Sequence, residues 1–171
     1  RCTSGAGDGI IVWSYGTTTA ACTSYLTSGI DWSKHGITVA GVSSGAMYNN
    51  RARISQKSGS AIYYLLNVSG NNNLFINLGL VNGSDKSDAQ ITALKLSGGA
   101  CRNNFVNCDL KGTPATMSAY QCDLWLSNAH ENTFAHCNFG NASLDRGNNA
   151  GAFIYLDGTA GNAQNTFEAC T

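Results

Sequence analysis

This chain of 171 residues predicts an all-β solenoid, a parallel β-helix with coils of about 30 residues. Three observations predict it. First, Asn-x-Phe recurs at Asn73/Phe75, Asn103/Phe105, Asn132/Phe134 and Asn165/Phe167, with the Phe residues 30, 29 and 33 positions apart. Three residues after each Phe stands Leu78, Cys108, Cys137 or Cys170, and two further on stand Leu80, Leu110 and Phe139. Second, a strip precedes each copy: LNVSG (66–70), LKLSG (94–98), LWLSN (124–128) and IYLDG (154–158), with starts 28, 30 and 30 residues apart. Third, polarity rests on Asn, Ser, Thr and Gly, the residues of turns: charged residues are 12%, about half the ordinary share, while hydrophobic residues are 43%.

Each strip alternates as a half-buried strand does. Leu94 and Leu96 should point inward with Lys95 outward, and Leu124 and Leu126 inward with Trp125 outward. The offset of three from Phe to Cys breaks strict alternation, so a bend must lie between them. Asn77, Asn107 and His136 sit at that bend, where Asn tolerates a left-handed backbone; Ala169 departs from the pattern. Helical repeats of similar length need long 3.6-period stretches rich in Ala, Leu and Glu, and this chain has two Glu. Stacked coils about 4.8 Å apart would instead put Phe on Phe, Cys on Cys and bend Asn on bend Asn.

In order along the chain, residues 1–29 read as a small-residue leader with a strand at GIIVWSY (9–15). Residues 30–64 read as irregular coils and 65–171 as regular ones, so the β-helix domain is 30–171. Variable inserts at 82–90, 111–121 and 140–151 should cluster at one corner. The chain opens on Arg1 and stops inside its last motif copy at Thr171, which leads to the expectation of a C-terminal truncation, with a further coil or a partner covering that end.

The formal net charge is zero, so no long-range field recruits nucleic acid or anionic lipid. No apolar run of 18 residues is present to cross a membrane as a helix. The three His (His35, His130, His136) form no close ligand pair and no CxxC occurs, so neither a metal nor a cofactor is expected. Seven Cys are an odd count, which fits a reducing place of synthesis. Cys108, Cys137 and Cys170 read as a buried column, a disulfide between adjacent coils being the less favoured alternative, and Cys101 and Cys122 as the exposed thiols.

These coils resemble the single-stranded right-handed β-helix, the pectate-lyase-like fold, over residues 30–171. LTSGIDWSKHGITVAGVSSG (26–45) is similar to the entry of such helices. Within that fold, the Asn-Phe-Cys coils look most like virion proteins of tailed phages, in head decorations and tail spikes. The resemblance implies a non-catalytic virion structural protein, made in host cytoplasm, homotrimeric, with other virion proteins and a surface polysaccharide as partners. A polysaccharide lyase or hydrolase and a glycan-binding adhesin remain open on the same fold, because fold does not imply function.

The candidate site is the outward row of the second strip, Asn67, Lys95, Trp125 and Tyr155, flanked by Leu65, Ala93, Asp123 and Phe153. Lys95, Asp123, Trp125 and Tyr155 are the candidates for contact with a ligand or another subunit, since aromatic rings with a cation stack on sugars and also anchor interfaces. Glycoside hydrolysis needs paired carboxylates. Asp109, Asp123, Asp145, Asp157, Glu131 and Glu168, with Asp85 and Asp88 in a loop, show no such pair, and no catalytic residue is assigned. Asp157 takes the turn slot filled by Ser69, Ser97 and Ser127, which favours a turn-capping role.

Overall fold

A computed structural model describes residues 9–14, 24–42, 52–56, 60–83, 91–112, 121–140, 152–157 and 161–171. The first coil holds β1 (Gly9–Ser14), β2 (Ser24–Leu26) and β3 (Ile30–Trp32). The second holds β4 (Ile37–Val42), β5 (Ala52–Gln56) and β6 (Tyr64–Val68), and the third β7 (Leu74–Ile76), β8 (Leu78–Val81) and β9 (Ile91–Leu96). The fourth holds β10 (Ala100–Cys101), β11 (Asn104–Val106), β12 (Asp109–Lys111) and β13 (Gln121–Leu126). The fifth holds β14 (Ala129–His130), β15 (Thr133–Ala135), β16 (Asn138–Phe139) and β17 (Ala152–Leu156), and β18 (Thr166–Glu168) follows.

Every described pairing is parallel, and equivalent strands collect into three long sheets: β1-β4-β7-β11-β15-β18, β2-β5-β8-β12-β16 and β3-β6-β9-β13-β17. The chain is a right-handed parallel β-helix. The strand expected at 9–15 is β1, in register with β4 from Gly9↔Ile37 to Ser14↔Val42, so this part of the leader lies in the first sheet. The inserts connect the second sheet to the third, as one corner requires; most of their residues lie outside the described ones.

The expected columns form. Phe75, Phe105, Phe134 and Phe167 stack with centroids 4.8, 4.9 and 5.0 Å apart and ring planes within 8° of parallel. Cys108 and Cys137 are buried free thiols beside them; Leu78, Leu80 and Leu110 fill the core with Leu66, Val68, Leu94, Leu96, Leu124 and Leu126, while Leu156 of the last strip is exposed. The bend before the cysteine column is left-handed in every copy: Asn77 (φ 56°), Asn107 (52°), His136 (53°) and also Ala169 (48°). Ala169 departs in residue type and not in backbone. In the three earlier copies the bend is held by tertiary bonds: the amides of Asn77, Asn107 and His136 donate to Val106, Ala135 and Glu168 of the next coil at 2.9–3.0 Å. Such bonds offset the roughly 1–2 kcal/mol that a left-handed backbone costs a residue with a Cβ.

A second left-handed bend, unforeseen in sequence, precedes each Asn of Asn-x-Phe: Asn72 (58°), Arg102 (54°), Glu131 (55°) and Gln164 (57°). It turns Asn73, Asn103 and Asn132 inward, where each is fully buried. The main amide ladder lies here. Asn73 donates through its backbone N and Nδ2 to Asn103 Oδ1 (3.0 and 2.9 Å), Asn103 does so to Asn132 Oδ1 (3.0 and 3.0 Å), and Asn132 to Asn165 Oδ1 (3.1 and 2.9 Å). The second Nδ2 proton of Asn73, Asn103 and Asn132 reaches Lys34 O, Gly70 O and Ala100 O. The expected ladder of bend residues is present as the exposed Asn107 Nδ2 to Asn77 Oδ1 bond of 2.7 Å.

Candidate functional site

The outer face of the third sheet carries the predicted row. In-register pairing runs Asp31↔Asn67↔Lys95↔Trp125↔Tyr155, one residue per coil. Asp31 Oδ1 accepts from Tyr64 Oη (3.0 Å) and Asn67 Nδ2 (2.9 Å), and Ser97 Oγ donates to Asn67 Oδ1 (2.7 Å). Lys95 Nζ lies 3.6 Å over the Trp125 ring, and Tyr155 meets that ring edge-on, with centroids 6.1 Å apart and planes at 62°. The rings therefore do not form a flat shared platform. Lys95 covers one face of Trp125, while Tyr155 is 40% exposed. Trp125 Nε1 has no hydrogen-bond partner among the described residues. Partial burial lowers the Lys95 pKa, and the charges of Asp157 and Asp31 oppose that shift. Burial, then the Asp31 hydrogen bond, raises that of Tyr64.

Lys95, Trp125 and Tyr155 are thus brought together, and Asp123 is not among them. The flanking positions were expected to face outward, yet Leu65, Ala93 and Asp123 are fully buried, and only Phe153, at 51%, is exposed. The reason lies at the corner between second and third sheets. Gly112 N donates to Asp123 Oδ1 at 2.7 Å, and Asn82 Nδ2 donates to Ile62 O and Thr92 O one coil earlier. The ends of the second-sheet strands close over these positions. A Cβ on Gly112 would stand 1.9 Å from Cys122 O and 2.7 Å from Ala93 N. Gly112→Ala should therefore cost about 3 kcal/mol, the upper end for overpacking, since both atoms it meets are backbone. Gly83→Ala, with nothing nearer than Gln56 Nε2 at 4.0 Å, should melt like the parent. Equal melting temperatures for the two variants would show that the corner is looser than drawn. The same closure buries Cys122, which was expected to be exposed, whereas Cys101 is half-buried.

Asp31 and Asp157 both act on Lys95, and the other described carboxylates lie elsewhere on the coils. Asp109 on the second sheet pairs with Lys111 at 2.9 Å, Glu131 at a turn lies 3.5 Å from Arg102, and Asp157 accepts from Ser127 Oγ at 3.2 Å, a side-chain bond between equivalent slots of adjacent coils. Asp85, Asp88 and Asp145 lie outside the described residues. Among the described residues no three His, Cys, Asp or Glu side chains gather as a metal site. At the last coil Phe139, Phe153, Ile154, Phe167, Cys170 and Thr171 line an open apolar cleft of about 300 Å³.

No family model and no curated protein matches the chain. Two solved structures are similar in fold. A point mutant of a pectin methylesterase in complex with a hexasaccharide superposes with a TM-score of 0.55 at 15% identity. A pectin methylesterase with another hexasaccharide gives 0.54 at 15%. Each comparison covers 98% of this chain, which spans 59% of the length of the pectin methylesterase chain. At that identity the likeness concerns the β-helix alone.

Proposed function

We propose that this β-helix binds a polysaccharide along the outer face of its third sheet. The observation that carries the reading is the Lys95–Trp125–Tyr155 row, one side chain per coil along the helix axis. A glycan chain is amphipathic, with C–H faces that pack on aromatic rings and hydroxyls that need donors and acceptors. The half-exposed Tyr155 ring and the rim of Trp125 supply the first, and Lys95 and Asn67 the second. The two similar structures hold hexasaccharides on the same architecture, which supports a saccharide as ligand.

Affinity electrophoresis against neutral and uronate-bearing polysaccharides tests this. The parent should be retarded by at least one of them. Trp125→Ala and Tyr155→Ala should each weaken retardation by about tenfold, a loss near 1.4 kcal/mol, with melting little changed. No retardation of the parent, or variants that bind like it, would sink the proposal. Soluble oligosaccharide appearing during incubation would replace it by the hydrolase or lyase reading.

A rival reading uses the same row as a subunit contact, as in a homotrimeric virion protein. It is favoured by the capping of Trp125 within its own chain, which suits a ring packed into an interface. Light scattering separates the two: a trimer that Trp125→Ala dissociates supports the contact, and a monomer that binds glycan excludes it.

A further inference from the structure

Among the described residues, Cys101 differs from the cysteines of the column. In the column, each thiol donates: Cys108 Sγ to Phe75 O (3.6 Å), Cys137 Sγ to Phe105 O (3.4 Å) and Cys170 Sγ to Phe134 O (3.3 Å). A thiol that donates to a carbonyl is held in its neutral, unreactive form, and burial pushes the Cys170 pKa up further. Cys101 has the opposite role. Its Sγ accepts from Arg102 Nη2 at 3.7 Å, and Glu131 holds the other side of that guanidinium, Nε to Oε2, at 3.5 Å.

The arrangement is built into the coil. Arg102 and Glu131 occupy the left-handed bends directly before Asn103 and Asn132, so the buried amide ladder sets where both side chains start. His130 is the in-register neighbour of Cys101 across the β10–β14 pair. Its Nε2 meets Asn128 Oδ1 at 2.9 Å; donating there, the ring keeps its lone pair on Nδ1. A surface turn thus brings together a thiol and a cation, with His130 on the paired strand.

We propose that Cys101 is a site of covalent modification by small disulfides that carry carboxylates. The Cys101 thiol gives up its proton to solvent as its sulfur attacks one sulfur of the disulfide. The S–S bond of the reagent breaks as the Cys101–S–S–R bond forms, and the departing thiolate takes up the proton. Cys101 is oxidised and half of the reagent is reduced, so the disulfide itself is the oxidant. The Arg102 guanidinium stabilises charge on the attacking sulfur and offers N–H donors to the carboxylate. This site lies at the turn between third and first sheets and does not depend on the polysaccharide reading.

The test reacts the folded chain with dithiobis-nitrobenzoate, an anionic disulfide, and with cystamine, a cationic one. Peptide mapping then assigns the label among the seven cysteines. The anionic reagent should reach Cys101 about tenfold faster than Cys170, the other half-buried thiol among the described residues. Arg102→Asn should fold normally, because Asn72 fills the same bend one coil earlier at φ 58°. It should slow the anionic reagent at Cys101 several-fold and cystamine much less. A Cys101 no faster than Cys170 overturns the proposal. So does an Arg102→Asn variant with unchanged rates, or with equal loss for both reagents.

Discussion

Asn103→Ala should lower the unfolding free energy by about 3–6 kcal/mol, the cost of stranding three buried polar groups. Asn103 is fully buried, and its Oδ1 is the acceptor for both the backbone N–H and an Nδ2–H of Asn73. Its own Nδ2 donates to Gly70 O. Truncation leaves Asn73 N–H, one Asn73 Nδ2–H and Gly70 O without their partners in a place that water does not reach. The ladder also links coils, so the loss spreads to rungs on either side. Asn165→Ala, at a half-exposed rung, should cost only about 1 kcal/mol because water can replace the missing groups. Denaturant melts of the two variants check the gradient. Equal, small losses would mean that the interior rungs are hydrated and the ladder is not a buried network.

Phe134→Ala should destabilise by about 3–5 kcal/mol, as for other buried aromatic truncations. Phe134 is fully buried between Phe105 at 4.9 Å and Phe167 at 5.0 Å, and the edge of Phe139 meets it at 6.1 Å. A cavity there cannot close easily, since the coil spacing is set by strand pairing on both sides. Phe167 is 39% exposed, so Phe167→Ala should lose only about 1–2 kcal/mol, in proportion to its smaller burial. Thermal melts with matched far-ultraviolet circular dichroism measure both. A negligible effect at Phe134 would contradict the inward register of the whole Phe column.

These two residues also mark how far the sequence could be read. Phe134 was legible because burial repeats with the coil, and a repeated apolar residue at one strand position has one economical place, the core. Asn103 was equally visible as part of Asn-x-Phe, yet its role was not. The signal was present in the invariance of that Asn against the variable residue before it. Asn72, Arg102, Glu131 and Gln164 share a left-handed bend with no common chemistry, so nothing local announces the turn that sends the next side chain inward. Ala169 makes the same point at the other bend, where hydrogen bonds to a neighbouring coil hold the conformation in the earlier copies.

The site divides in the same manner. Lys95, Trp125 and Tyr155 could be placed on one outward row from alternation and period alone, and they lie on it. The geometry within that row depends on side-chain packing across coils, which put the Lys95 ammonium on the Trp125 face and turned Tyr155 edge-on. Asp123 and Cys122 show the sharper limit. Alternation assigned Asp123 outward, and the closing of a corner by Gly112, eleven residues earlier in the chain, buried it.

By itself the sequence determined that this protein is a stack of parallel coils, how long each coil is, and which residues form the Phe, Cys and leucine columns. All of these follow from repetition, which a single chain displays in full. Only the tertiary structure decided which polar groups are buried and bonded, which thiols are covered, and how the outward rings meet. Those outcomes depend on the approach of segments about 30 residues apart, where a hydrogen-bond acceptor or a backbone carbonyl, rather than any local preference, selects the conformation.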